Sequence, residues 1–89
     1  MTLPKHTKVY FDYFGYGEDD IILCEVCLRK ATDLHHIKYK SRGGTNDIGN
    51  IIALCRKCHD LAHNEKLTED YLQQLHNTYL ERSTKWKQL

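Results

Sequence analysis

The sequence predicts a small α+β domain, and three features predict it. Its 89 residues suit a single domain, 1–89, with a modest core. Short runs such as Thr32–Tyr39 (TDLHHIKY) alternate apolar and polar residues in the manner of half-buried strands. Further on, His59 and His63 stand at i, i+4, and Leu72, Leu75 and Tyr79 follow a helical face. A chain of this length commonly needs a staple beyond its core. Its four cysteines, in two Cys-x-x-Cys pairs, are the candidates.

Taken in order, Val9, Phe11 and Tyr13 alternate with Tyr10, Asp12 and Phe14, which predicts a strand that covers the core. Ile21–Leu28 (IILCEVCL) reads as a strand entering a tight turn at Cys24 and Cys27. Thr32–Tyr39 is a further strand, on which the neighbouring His35 and His36 point to opposite faces unless a bulge intervenes. Lys40–Gly49 (KSRGGTNDIG) is turn-rich and reads as a loop, with Gly43 and Gly44 supplying positive φ. Asn50–Leu54 is a short apolar strand that delivers Cys55 and Cys58. Cys58–Glu65 is a helix, and a C-terminal helix covers about 68–84, with Thr68 as its N-cap and Glu69 and Asp70 in its first turn. Lys85 and Lys87 stand near its end, and Trp86 anchors the tail.

The cysteines form C-x2-C-x27-C-x2-C. The N-terminal stretch MTLPKHTKVY lacks the apolar run of a signal peptide, and no run is long enough to span a membrane, so an intracellular, cytoplasmic setting is expected. Thiols in a reducing compartment favour zinc over two disulfides. Cys24, Cys27, Cys55 and Cys58 would close a tetrahedral structural Zn²⁺ site, which leaves no need for His59 in that shell. Net charge is only +1, so no global field marks a polyanionic partner. Locally the balance differs: Arg29, Lys30, Lys38, Lys40, Arg42, Arg56 and Lys57 face only Asp33 and Asp47 across 29–57.

Four of the six histidines, His35, His36, His59 and His63, fall inside or just beyond the long insertion between cysteine pairs. The order C-x2-C, DLHHI, GG-T-N, NIIALC and C-x-x-CH-x3-H resembles the HNH endonucleases, the ββα-metal or His-Me finger class, over a motif core of 24–63. The flanks 1–20 and 65–89 carry no such likeness. The resemblance implies two antiparallel strands and a helix around one catalytic divalent ion, with a 5′-phosphate and a 3′-hydroxyl as products. By motif position, His36 is the general base, Asn50 orients that base or its loop, and His35, His59 and His63 are the ligands of the catalytic ion. Asp33 falls outside the usual ligand position and is given no role.

Chemistry agrees with that assignment. An imidazole takes up water's proton near neutral pH, and Asn50 accepting from His36 Nδ1–H would leave Nε2 for water. The ion, Mg²⁺, Mn²⁺, Ni²⁺ or Zn²⁺, would stabilise charge on the phosphate, and three imidazoles suit the last three better than Mg²⁺. Lys38, Lys40, Arg42, Arg56 and Lys57 are expected to hold DNA phosphates without reading bases. A homodimer fits double-strand cutting, and a partner protein fits supplied specificity. The alternative function is a non-catalytic four-cysteine zinc module that binds nucleic acid or protein. It would use the cysteines and cations but not the histidines and Asn50.

Overall fold

The computed structural model describes residues 4–17 and 19–88, with the side chains of 83–88 excepted, so Lys85, Trp86 and Lys87 lie outside the described side chains. The elements run α1 (Lys5–Phe14), β1 (Asp33–His36), β2 (Ile51–Leu54), α2 (Arg56–His63) and α3 (Glu69–Gln88), with two short 3-10 turns at Lys40–Arg42 and Ile48–Asn50. β1 and β2 form a two-stranded antiparallel sheet, and α2 follows β2 directly. This is the α+β, ββα arrangement the motif order predicts.

β2 explains where the core sits. All four of its residues are buried, because both faces of the small sheet are covered. Ile52 and Leu54 pack with Cys24, Ile37, Cys55, Cys58, Ala62 and Leu72 on the cysteine and α2–α3 side. Ile51 and Ala53 pack with Tyr10 on the other side, against Val9, Phe11, Phe14 and Leu34. The alternation is the period-two rule of a strand, applied to two separate clusters.

The N-terminal segment corrects the sequence reading: residues 5–14 are helical, not a strand. Its aromatics satisfy both periods, so alternation alone misleads. Tyr10 and Phe14, one helical turn apart, pack ring on ring with centroids at 4.6 Å. The punctuation is also helical. Pro4 stands at the N-cap with φ −54°, and Gly15 ends the helix in the left-handed region at φ 74°, its N–H donating to Phe11 O. The segment does cover the core, as expected, since Tyr10 is fully buried.

Ile21–Leu28 is a second correction. No strand forms there; a single bridge joins Leu23 to Lys30, and Ile21 and Leu28 are exposed. Cys24 N–H donates to Arg29 O and Leu28 N–H to Cys24 O, so the backbone curls into a tight knuckle and has no partner strand to extend along. The third strand is shorter than read, Asp33–His36, because the chain turns at Tyr39 into the first 3-10 turn. Gly44 holds that turn closed: a Cβ there would collide with the Lys38 carbonyl and come within 2.9 Å of Tyr39 O. Thr68 caps α3 through its Oγ1, 3.1 Å from Tyr71 N–H.

One buried polar network ties the flanks to the centre. Glu25, in the knuckle, accepts from Tyr10 OH at 2.6 Å and lies 2.7 Å from His76 Nδ1. His76 Nε2 donates to Ile48 O at 2.6 Å. Burial and the adjacent Glu25 carboxylate push the Tyr10 hydroxyl well above its ordinary range, so it remains a donor. α1, the knuckle, the second 3-10 turn and α3 therefore meet at one point.

Candidate active site

Among the described residues, two groups of side chains could each hold a metal ion. In the first, Cys24, Cys27, Cys55 and Cys58 bring their Sγ atoms within 4.8 Å of one another. The knuckle supplies two of them, and the β2–α2 junction the others. Cys27 Sγ and Cys55 Sγ are 3.5 Å apart, far beyond a disulfide and close to the roughly 3.8 Å that two sulfurs on one tetrahedral zinc adopt at bond lengths of about 2.3 Å. None of the four is disulfide-bonded. Cys55 is also the N-cap of α2, and the Cys58 N–H pointing at its sulfur lowers its thiol to about 7. Burial pushes Cys58 the other way. The donor set fits a metal ion.

In the second group, His35, His59 and His63 bring one nitrogen each within 4.8 Å of the others. β1 carries His35, and α2 presents His59 and His63 one turn apart on the same face. His59 Nε2 and His63 Nε2 lie 3.1 Å apart, within the roughly 3.0–3.4 Å spanned by two nitrogens sharing one ion at about 2.0–2.1 Å. Burial first, then the neighbouring His59, His63 and His36 rings, lower His35 to about 4, against an upward pull from Asp33. His35 is therefore neutral near pH 7, with a lone pair to offer a cation. Its ring meets those of His59 and His63 edge-on at 5.2 and 5.7 Å.

The outer nitrogens of the two helical histidines also have neighbours. Asp33 Oδ2 is 3.3 Å from His59 Nδ1, close enough for charge attraction but off the line of an N–H bond, so that buried nitrogen makes no hydrogen bond. Tyr39 OH is 3.4 Å from His63 Nδ1, and the two rings stack at 12°. Asp33 was given no role from sequence. The signal was available, since metal-binding histidines commonly turn their second nitrogen toward a carboxylate.

His36 is elsewhere. The ladder runs without a bulge through His35↔Ile52 and His36↔Ile51, so the two histidines go to opposite faces. His36 reaches the α1 side, where its ring lies 4.7 Å from that of His6, and its Nε2 is 2.8 Å from Asn46 Oδ1. The expected bond between His36 and Asn50 is not made. Asn50, buried at the foot of the loop, accepts from Lys38 N–H at 2.8 Å and donates to Lys38 O at 3.1 Å and Thr45 O at 2.8 Å. Its amide does the pairing that the strand ladder stops supplying after Ile37, so it organises the loop and not the histidine.

The five expected DNA-contacting cations are all exposed. Arg42 lines a groove of about 300 Å³ beside His35 and His63, and pairs with Glu69 at 3.6 Å. Lys38 lines a neighbouring groove with Asn50 and Gly44. Lys40 sits in the first 3-10 turn, and Arg56 and Lys57 open α2 beside the cysteines.

Among the described residues no helix is long and apolar enough to cross a membrane. No curated protein and no solved structure matches the chain. The family model described as HNH endonuclease matches residues 24–65, the stretch that carries the cysteine group, the histidine group, His36 and Asn50. Nuclease-type activity is what such a domain supports. Residues 24–65 are thus similar to an HNH endonuclease domain, and their four cysteines are placed to form a metal site.

Proposed function

We propose that the chain, acting as one domain over its whole length, is a metal-dependent DNA endonuclease or nickase that hydrolyses phosphodiester bonds. The observation that carries this is the convergence of His35, His59 and His63 beside a separate four-cysteine group, inside the segment that matches the family. A module that only bound nucleic acid would have no use for three imidazoles aimed at one point.

In this reading the four cysteines hold Zn²⁺ and fix the knuckle against α2. His35, His59 and His63 hold one divalent ion, Mg²⁺, Mn²⁺, Ni²⁺ or Zn²⁺. When bound, such an ion stabilises charge developing on the scissile phosphate and the leaving oxygen. His36 takes the proton from the attacking water, the task an imidazole performs best near neutral pH. Asn50 holds the loop that follows β1. Lys38, Lys40, Arg42, Arg56 and Lys57 hold phosphates by charge, and a second copy or a partner protein supplies selectivity. Action inside the cell suits thiols that must stay reduced.

Metal stoichiometry tests the reading against a binding-only module. After loading and desalting, the nuclease reading expects two ions per chain, one of them exchangeable and absent in His59→Ala. A single ion in the wild type, unchanged by His59→Ala, would favour the zinc module instead.

A further inference from the structure

His36 is held by two residues outside the cluster of converging histidines. Its Nε2 lies 2.8 Å from Asn46 Oδ1. An amide oxygen only accepts, so Nε2 is the donor in this pair, and in the neutral ring the lone pair then stands on Nδ1. The second contact is the His6 ring from α1, with centroids at 4.7 Å and planes inclined at 50°. The hydrogen bond fixes the ring's rotation, and His6 covers one face.

Asn46 is itself well anchored. Thr45 Oγ1 donates to Asp47 Oδ2 at 3.0 Å and accepts from Asp47 N–H at 3.3 Å. Asn50 Nδ2 grips Thr45 O at 2.8 Å. The residues on both sides are pinned, so the Asn46 amide is presented to His36 by a built loop.

We propose that Asn46 is a positioning residue for His36: by accepting the Nε2 proton it assigns Nδ1 as the nitrogen that deprotonates water. This rests on the nuclease reading. Water's O–H proton passes to Nδ1, and the oxygen's electron pair forms the new bond to phosphorus. The bond from phosphorus to the 3′ oxygen breaks, and that oxygen leaves with the bonding pair and takes a proton from solvent. The imidazolium then returns its proton to solvent, and Asn46 keeps its bond to Nε2–H throughout.

The test compares wild type, Asn46→Leu and Asn46→Asp in single-turnover cleavage of a labelled DNA duplex, with metal content and DNA affinity measured alongside. Leucine keeps the branching at Cγ and removes the acceptor; aspartate keeps an acceptor and cannot donate. The expected result is a fall of at least about tenfold in the cleavage rate for Asn46→Leu, at unchanged metal content and DNA affinity, with most of the loss recovered in Asn46→Asp. Proton NMR should show a slowly exchanging His36 Nε2–H in wild type and Asn46→Asp, and its loss in Asn46→Leu. Wild-type cleavage and an unchanged Nε2–H in Asn46→Leu would overturn the proposal, as would an Asn46→Asp variant as slow as Asn46→Leu. Wild-type chain that leaves the duplex uncut with every one of the four ions would overturn the nuclease reading, and this inference with it.

Discussion

Asp33 Oδ2 stands 3.3 Å from His59 Nδ1, while the opposite nitrogen of the same ring, Nε2, faces His63 Nε2 at 3.1 Å. The ring thus lies between a carboxylate and the point where the His35 and His63 rings converge on it. A carboxylate behind a metal-binding imidazole sets its orientation and raises its basicity. Asp33→Ala should therefore weaken affinity for the exchangeable ion about 10- to 100-fold while leaving the tightly held ion in place. Titration of metal-stripped protein with Mn²⁺ or Ni²⁺ reads this directly. An unchanged affinity would remove Asp33 from the site.

The four-cysteine group joins the knuckle to α2, and much of one core cluster, Cys24, Cys55 and Cys58 included, is built around it. In a domain this small, binding free energy of a structural ion is largely folding free energy. A strong chelator that removes both ions should collapse the circular-dichroism signal of α2 and α3, and added Zn²⁺ should restore it. EDTA at a level that strips only the exchangeable ion should leave the fold intact.

Glu25 and His76 are fully buried and 2.7 Å apart. Removing one member of a buried pair leaves the other without compensation, at a cost of about 3–5 kcal/mol. His76→Ala should lower Tm by more than about 10 °C in thermal unfolding. Tyr10→Phe removes a single hydrogen bond to a carboxylate and should cost about 1.5–3 kcal/mol. Equal stabilities would mean that the flanks do not depend on this network.

Arg42 is exposed, and its 3.6 Å pair with Glu69 is of the kind worth little in water, so it remains available to phosphate. Arg42→Ala should weaken DNA binding about equally across sequences. The slope of log affinity against log salt should become shallower by about one. A change confined to one sequence would show base reading instead.

Much of the site was legible because its spacing is local. Two residues between cysteines make a knuckle, and three between His59 and His63 put both on one helical face. Thr68 announces its cap, and Gly43–Gly44 mark a turn that the Lys38 carbonyl makes obligatory at Gly44. What escaped is of two kinds. The aromatic run of α1 fits periods of both two and 3.6, and the helical punctuation of Pro4 and Gly15 was the better guide. The other losses are long-range partners. Glu25 and His76 meet across 51 positions, and His36 finds Asn46 and His6 because the intact ladder turns it away from His35. No local pattern encodes such meetings; they follow from which strand face each residue occupies.

The most direct measurement is cleavage of supercoiled plasmid by the purified chain, stripped of its exchangeable ion with EDTA and then given Mg²⁺, Mn²⁺, Ni²⁺ or Zn²⁺, with His36→Ala alongside. The account predicts nicked or linear product only when an ion is restored, and loss of that product in His36→Ala despite full metal content. Uncut plasmid with every ion, from folded and zinc-loaded protein, would contradict it.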